Sequence, residues 1–303
     1  MSPANYRKQL TDRIIEQLTS GVAPWIKPWD DKVLLPSRVH NAVTGRPYRG
    51  GNSLWLQCHD YSDPRWCTYK QAQAEGWQVK KGEKASVVEY WKWEDQKKDE
   101  ASQVVRIRLD TPGVFYAHIF NAEQIAGVPE FVPIQPSWAP EVEADRILCA
   151  SGACIRHDKG GRAFYSPSSD EIHLPPKLAF SNAERYYSTA LHELGHWTGH
   201  ESRLGRELVN SFGTEEYARE ELRAELASFF LASRLGIPHD PTNHVAYIGS
   251  WIKVLEQDHS EIFRASRDAE NITEYVLQFQ QQRSNEPKQG PIATHEFEDE
   301  LEC

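Results

Sequence analysis

The segment Ala190-Leu-His-Glu-Leu-Gly-His196 constrains this chain more than any other. On an α-helix, residues four apart stand one turn apart on one face, so the imidazoles of His192 and His196 can reach a single Zn2+. Glu193 can reach the coordination position left to water, where a carboxylate serves as general base. HExxH is thus the pattern of a metal-dependent hydrolase. It asks two things of the rest of the chain: a helix to carry it and a third protein ligand.

The helix is signalled locally. Ser181-Asn-Ala-Glu184 has capping-box spacing, which predicts a start there and an end near Thr198. The third ligand takes more argument. In the pattern HExxHxxGxxH it would be a histidine three residues past the glycine. Gly199 matches, but position 202 is serine and His200 is out of register. That clan also needs a methionine turn, and the only methionine here is Met1. A second amphipathic helix, predicted over 214–235 between Thr214 and Gly236-Ile-Pro238, offers Glu220-Glu-Leu-Arg-Ala-Glu225 instead. At about 100° per residue, Glu221 and Glu225 fall within about 40° of each other, on the face of Ala218, Ala232 and Phe229. Glu220 points about 100° away, toward the polar side. Two carboxylates on an apolar face call for a cationic partner. Glu221 is therefore assigned as third ligand, and Glu225 as the carboxylate for a ligand histidine's outer nitrogen; a salt-bridged helix face is the alternative. His244 and Tyr247, three apart on a helix predicted over 243–258, are candidates for steadying an oxyanion, with a buried structural tyrosine as the other reading of Tyr247. A strand at 171–174 is a candidate edge for an extended peptide.

With 303 residues, 39% hydrophobic and 26% charged, the chain has room for two soluble domains. No apolar run is long enough to span a membrane, and no apolar leader opens the chain, so a cytoplasmic protein without a membrane partner is expected. The five cysteines, with no CxxC pair, read as reduced thiols. The net charge of −10 is unevenly spread: residues 1–84 carry 13 Lys and Arg against 8 Asp and Glu, residues 131–303 carry 16 against 28. Seven of the ten tryptophans precede residue 94. Cations and aromatic rings interleave in Trp25, Lys27 and Trp29, in Arg46, Tyr48, Arg49 and Asn52, in Arg65, Trp66, Tyr69 and Lys70, and before Lys80, Lys81 and Lys84. Single-stranded nucleic acid uses such pairs, rings for bases and cations for phosphates. The same tryptophans fit a core, and both readings stand.

Along the chain, a helix over 3–20 ends at Gly21, a turn-rich loop covers 40–53, a helix runs from Leu54, and a short helix follows Gln71. Strand-like runs at 86–93, 104–109 and 113–120, with a charged loop at 94–103, complete an N-terminal α+β domain over 1–130. Prolines at 129, 133, 136 and 140 mark a linker over 131–141. A mainly helical domain with a small sheet is expected over 142–283, with strands at 163–165 and 171–174 and a last helix over 260–283. The acidic tail, 284–303, lacks the apolar residues to order itself.

Several of these segments together resemble the ArdC antirestriction proteins of conjugative plasmids, whose N-terminal domain also occurs on plasmid primases. They are Trp25-Ile-Lys-Pro-Trp29, Thr44-Gly-Arg-Pro-Tyr-Arg-Gly-Gly-Asn52, Arg65-Trp66, Thr68-Tyr-Lys-Gln71, Gly76-Trp77, Val79–Lys84, His192–His200 and Tyr217–Glu225. The likeness runs from about residue 5 to residue 283. It implies a single-stranded-DNA-binding domain followed by a zinc-dependent, zincin-like metallopeptidase domain, shielding incoming plasmid DNA from host restriction during conjugation. Its protein substrate would be a host restriction or other DNA-bound protein. Two further readings remain: a DNA–protein-crosslink protease, and a DNA-binding shield whose zinc site is silent. The intact Glu193 weighs against a purely structural metal.

Overall fold

In a computed structural model the chain is described over residues 3–21, 39–59, 61–98, 104–132, 140–158, 161–208, 213–237 and 247–282. Helix α1 (Pro3–Thr19) lines up Tyr6, Leu10, Ile14 and Leu18, each at most 2% exposed, on one stripe. Its turn ends at Gly21, whose φ of 80° is left-handed. Strand β1 (His40–Asn41), helix α2 (Gly50–Gln57), strand β2 (Arg65–Thr68), helix α3 (Tyr69–Ala74) and strand β3 (Gln78–Val79) follow. Helix α2 begins at Gly50, four residues earlier than the expected Leu54. A full capping box between Thr68 and Gln71 starts α3.

Two long strands come next, β4 (Ser86–Lys98) and β5 (Val104–Asn121), then β6 (Ile125–Ala126). The first sheet runs β1-β2-β5-β4, with β3 and β6 as a separate pair. Here the expectation of three strands and a charged loop is corrected. Residues 94–98 extend β4, and the two later runs are one strand, paired Lys92 to Gly113 and then Glu94 to Arg108. The break seen at Asp110-Thr-Pro112 is a bulge, since proline has no N–H for the ladder. Charge misleads in a two-stranded ribbon because neither face of it must be apolar.

The second half opens with α4 (Pro140–Ala150), so the linker expected to reach 141 gives way to a helix whose first residue is proline, where a missing N–H costs nothing. Strands β7 (Cys154–His157), β8 (Phe164–Ser166) and β9 (Glu171–Leu174) form a sheet in the order β7-β9-β8. β9 is therefore central, parallel to β7 and antiparallel to β8. It cannot be the peptide-accepting edge expected at 171–174; β8 is an edge instead. Helices α5 (Ala183–Trp197), α6 (Glu215–Leu235), α7 (Ile248–Gln257) and α8 (Glu261–Gln282) complete the described chain. None of the described helices is long and apolar enough to cross a membrane, and no disulfide joins the described cysteines.

The largest core crosses the boundary drawn from sequence. Leu10, Ile14 and Leu18 of α1 and Leu54 of α2 pack in one cluster with Leu191, Leu222, Trp251, Leu255, Ile262 and Ile272. At roughly 1.5–3 kcal/mol per fully buried aliphatic side chain, these four tie the N-terminal helices firmly to the C-terminal half. The approach is close: a Cβ on Gly51 would lie 2.7 Å from the Phe263 ring on α8. The first sheet keeps a smaller core of its own, with Val39, Leu56, Trp66, Val88 and Ile119.

Candidate metal centre

Helix α5 is capped by Asn182, whose side chain accepts the Arg185 N–H at 2.9 Å; the cap is thus one residue past the expected Ser181. Its buried face carries His192 and Glu193, 7% and 6% exposed. Helix α6 is capped by Thr214 and stopped by a left-handed Gly236. It lies against α5 with Glu221 facing the two histidines.

The three side chains converge, with one Glu221 oxygen facing each histidine. His192 Nε2 and His196 Nε2 are 3.2 Å apart, His192 Nε2 is 3.5 Å from Glu221 Oε2, and His196 Nε2 is 3.5 Å from Glu221 Oε1. Ligands about 2.0–2.1 Å from a tetrahedral ion stand about 3.3–3.4 Å from one another. These contacts are close to that spacing, one ligand atom from each residue lies within 4.8 Å of the others, and the residues present suit a divalent ion. Among the described residues this is the one group of histidines, cysteines and acids so assembled.

Each of the two histidines has its own carboxylate on α6. Glu225 Oε2 lies 3.8 Å from His192 Nδ1. Glu220 Oε1 lies 3.2 Å from His196 Nδ1, and since a carboxylate only accepts, the ring nitrogen donates and leaves Nε2 for a metal. The expectation that Glu220 faces the polar side is corrected. It is 8% exposed and ion-paired with Arg206 at 2.9 Å. The segment after α5 folds back over that face of α6, which helical periodicity alone does not reveal. Gly199 permits it: a Cβ there would stand 2.6 Å from Leu208 and 2.9 Å from the Arg206 guanidinium.

The electrostatics follow from burial among opposed charges. Burial raises the Glu193 carboxyl above its ordinary range, against the pull of His192 and His196, while a Tyr165 backbone N–H from β8 holds it. Burial disfavours charge on both histidines, yet the carboxylates win: Glu221 and Glu220 lift His196 to about 9, and Glu221 and Glu225 lift His192 well above its usual value. Burial would raise Glu221, but the histidines hold it far below the carboxylate range.

The site opens into a cavity of about 820 Å3, walled by Phe164 and Tyr165 of β8, by His192 and Glu193, and by Tyr217, Glu221 and Tyr247. Tyr247 directly precedes α7, which starts at Ile248 and not at the expected 243. His244 lies outside the described residues. Sequence reasoning misses Tyr217, although its place one turn before Glu221 puts it on the same face of α6.

The residues expected to bind DNA separate into three groups. Trp25, Lys27 and Trp29 lie outside the described residues. Several others are engaged in the fold. Trp66 is 1% exposed, edge-on to His59 and Tyr61. Arg65 pairs with Asp63 at 2.7 Å and lies over the Phe131 ring. Asn52 accepts from Tyr6 and donates to the Glu89 carbonyl. Arg49 pairs with Glu274 of α8 at 3.1 Å, Tyr48 is half-buried beside Asn41, and Lys80 donates to the Glu123 carbonyl. Arg46, Tyr69, Lys70, Lys81 and Lys84 are exposed. The β4–β5 ribbon adds what composition does not pick out: Tyr90, Trp91, Trp93 and Phe115 are 41–51% exposed, with Lys92 over the Phe115 ring.

Comparison with known proteins places these parts together. Residues 4–117 match the N-terminal domain of anti-restriction factor ArdC, and residues 142–268 match a zincin-like metallopeptidase family. Two DNA primases TraC from Escherichia coli are 48% identical over 94% and 93% of this chain, which spans only 29% and 20% of their own lengths. The uncharacterized protein y4eC of Sinorhizobium fredii is 32% identical over 91% of this chain and 92% of its own length. The antirestriction ArdC protein from the R388 plasmid, in metal-free and Mn(II)-bound crystal structures, is 36% and 35% identical with a TM-score of 0.71, over 90% of this chain and 97% of that one. With both segments matched in order and the same fold across nearly the whole of that relative, this chain belongs to the ArdC family of antirestriction proteins.

Proposed function

We propose that this protein binds single-stranded DNA through its N-terminal part and hydrolyses a protein held there, so that incoming plasmid DNA escapes host restriction during conjugation. The observation that carries the catalytic half is the placement of Glu193, buried beside His192, His196 and Glu221 in a cavity wall. A metal held only for folding needs neither a base nor an open approach. The substrate would be a host restriction or other DNA-bound protein, met in the recipient's cytoplasm.

Two imidazoles and a carboxylate suit zinc, although the R388 relative has a Mn(II)-bound structure, so the metal content of the purified protein decides between them. When bound by His192, His196 and Glu221, the metal would polarise the scissile carbonyl. Glu193 takes a proton from the attacking water and delivers it to the leaving amine, a task its raised pKa suits. Tyr247 donates a hydrogen bond to the developing oxyanion. An extended peptide pairs with β8, the sheet edge at the cavity. On the other half, Tyr69, Lys70, Arg46, Lys81 and Lys84 with the ribbon's aromatic rings supply stacking faces and cations.

An antirestriction assay in cells tests the whole. Wild type should protect, Glu193→Ala should keep its metal and fail, and Trp91→Ala with Trp93→Ala should fail through lost DNA binding. Full protection by Glu193→Ala would assign the protein instead to a DNA-binding shield. DNA binding is to be measured on the full chain, because a 1–130 fragment strips α1 and α2 of the core they share with the C-terminal half.

A further inference from the structure

Helix α6 supplies more than the third ligand. Glu220 and Glu225 on it face the outer nitrogens of the two histidines, while Tyr217, one turn before Glu221, brings its hydroxyl to the Glu221 carboxylate and within 3.3 Å of the Tyr247 hydroxyl. The direction of this chain of bonds is set by chemistry. A carboxylate can only accept, so Tyr217 must donate to Glu221; its lone pairs can then take the single Tyr247 proton in the substrate-free protein, a proton that Tyr247 turns away from Tyr217 when it donates to an oxyanion.

We infer that Tyr217 is a positioning residue for the metal: through its hydroxyl it fixes Glu221 in the orientation that faces both histidines, with the Tyr247 hydroxyl beside it on the cavity side. The inference rests on the metal-site reading given above. Glu221 has one oxygen near each histidine, and a carboxylate on a flexible glutamate stem can rotate so that neither oxygen faces the ion. A hydrogen bond from the preceding turn of the same helix removes that freedom. All three ligands then take their orienting partners from α6, at positions 217, 220 and 225 around residue 221.

The test is metal affinity of the full chain, measured by calorimetry with Mn2+ and with Zn2+ and without any peptide. Tyr217→Phe, which removes only the oxygen, should weaken affinity about 10–100-fold, the usual cost of losing a partner to a metal ligand. In a Glu221→Ala background the same substitution should change affinity no further, because its effect runs through that carboxylate. Tyr247→Phe should leave affinity near wild type and lower the rate of peptide hydrolysis. Wild-type affinity in Tyr217→Phe would overturn the inference, and so would an undiminished loss in the Glu221→Ala background, which would mark a general effect on the fold. Failure of every form to cut peptides would count against the peptidase reading alone.

Discussion

The candidate metal centre and the aromatic ribbon hold their side chains in opposite ways. At the centre, two packed helices bury four carboxylates and two imidazoles within a few ångströms, each charged group meeting an opposed one. In the ribbon, two strands carry Tyr90, Trp91, Trp93 and Phe115 into solvent, fastened at the base by Glu89, which accepts from Trp91 and Tyr116 and pairs with Arg7. Hydrolysis needs a fixed constellation, and fixing it means surrounding it with protein. Stacking of bases needs open ring faces, so the same burial would destroy it. A buried charge and an exposed ring are therefore both signs of function, and a tryptophan by itself is not.

The largest expected effect would break that contrast at Trp66. As a core residue its replacement by alanine should destabilise the protein by about 3–5 kcal/mol, seen in urea unfolding, with any loss of DNA binding following from unfolding. Trp91→Ala, at an exposed site, should leave stability nearly unchanged and weaken oligonucleotide binding. If Trp66→Ala stayed stable and lost only DNA, the division between core and surface rings would be reversed.

Next in size is Glu220→Gln. It keeps the shape of the side chain but removes the charge facing His196 and Arg206, and should lower metal affinity about 10–100-fold and also destabilise the metal-free fold, where Arg206 and His196 lose their buried partner. An unaltered affinity would mean that Arg206 and Glu220 serve only the loop that covers α6.

The centre also predicts a pH dependence. In the folded chain His196 titrates at about 9, above the roughly 6.5 of an unfolded histidine. Its protonated pairing with Glu221 and Glu220 therefore stabilises the metal-free protein fully below pH about 6.5 and is lost as pH rises through about 9. The melting midpoint in chelator should fall across that window, whereas the metal-loaded protein should hold, because the ion takes the protons' place. A flat profile in chelator would show that the histidines are not charged in the metal-free fold.

How far the sequence could be read divides along the same line. The convergence of His192, His196 and Glu221 was legible because a helix fixes side-chain direction every 100° and the pair of helices had clear ends. Glu220 was not, since the covering segment from Gly199 to Leu208 meets α6 through packing that leaves no local signal. Strand order hid the edge: β9 has the alternating burial of a half-exposed strand, yet it lies between β7 and β8. The place of α1 in the C-terminal core was equally out of reach, because its apolar stripe says that it packs and not against what. In the N-terminal part only residue class was available, and class does not tell Trp66 from Trp91.

The smallest effects belong to the exposed cations. Lys81 and Lys84 are exposed and near the β3 turn, and neither replacement by alanine should move stability by more than about 0.5 kcal/mol. If they follow the phosphates of a bound strand, each substitution should weaken binding of every oligonucleotide sequence alike. The slope of log affinity against log salt should become shallower by about 0.7 for each phosphate that a lysine no longer neutralises on single-stranded DNA. Ring and cation can thus be told apart in one titration: Trp91→Ala should lower affinity while leaving the salt slope as it was, because stacking releases no counterions. A lysine variant with unchanged slope would move the strand's path away from the β3 turn, leaving the ribbon as the surface to map.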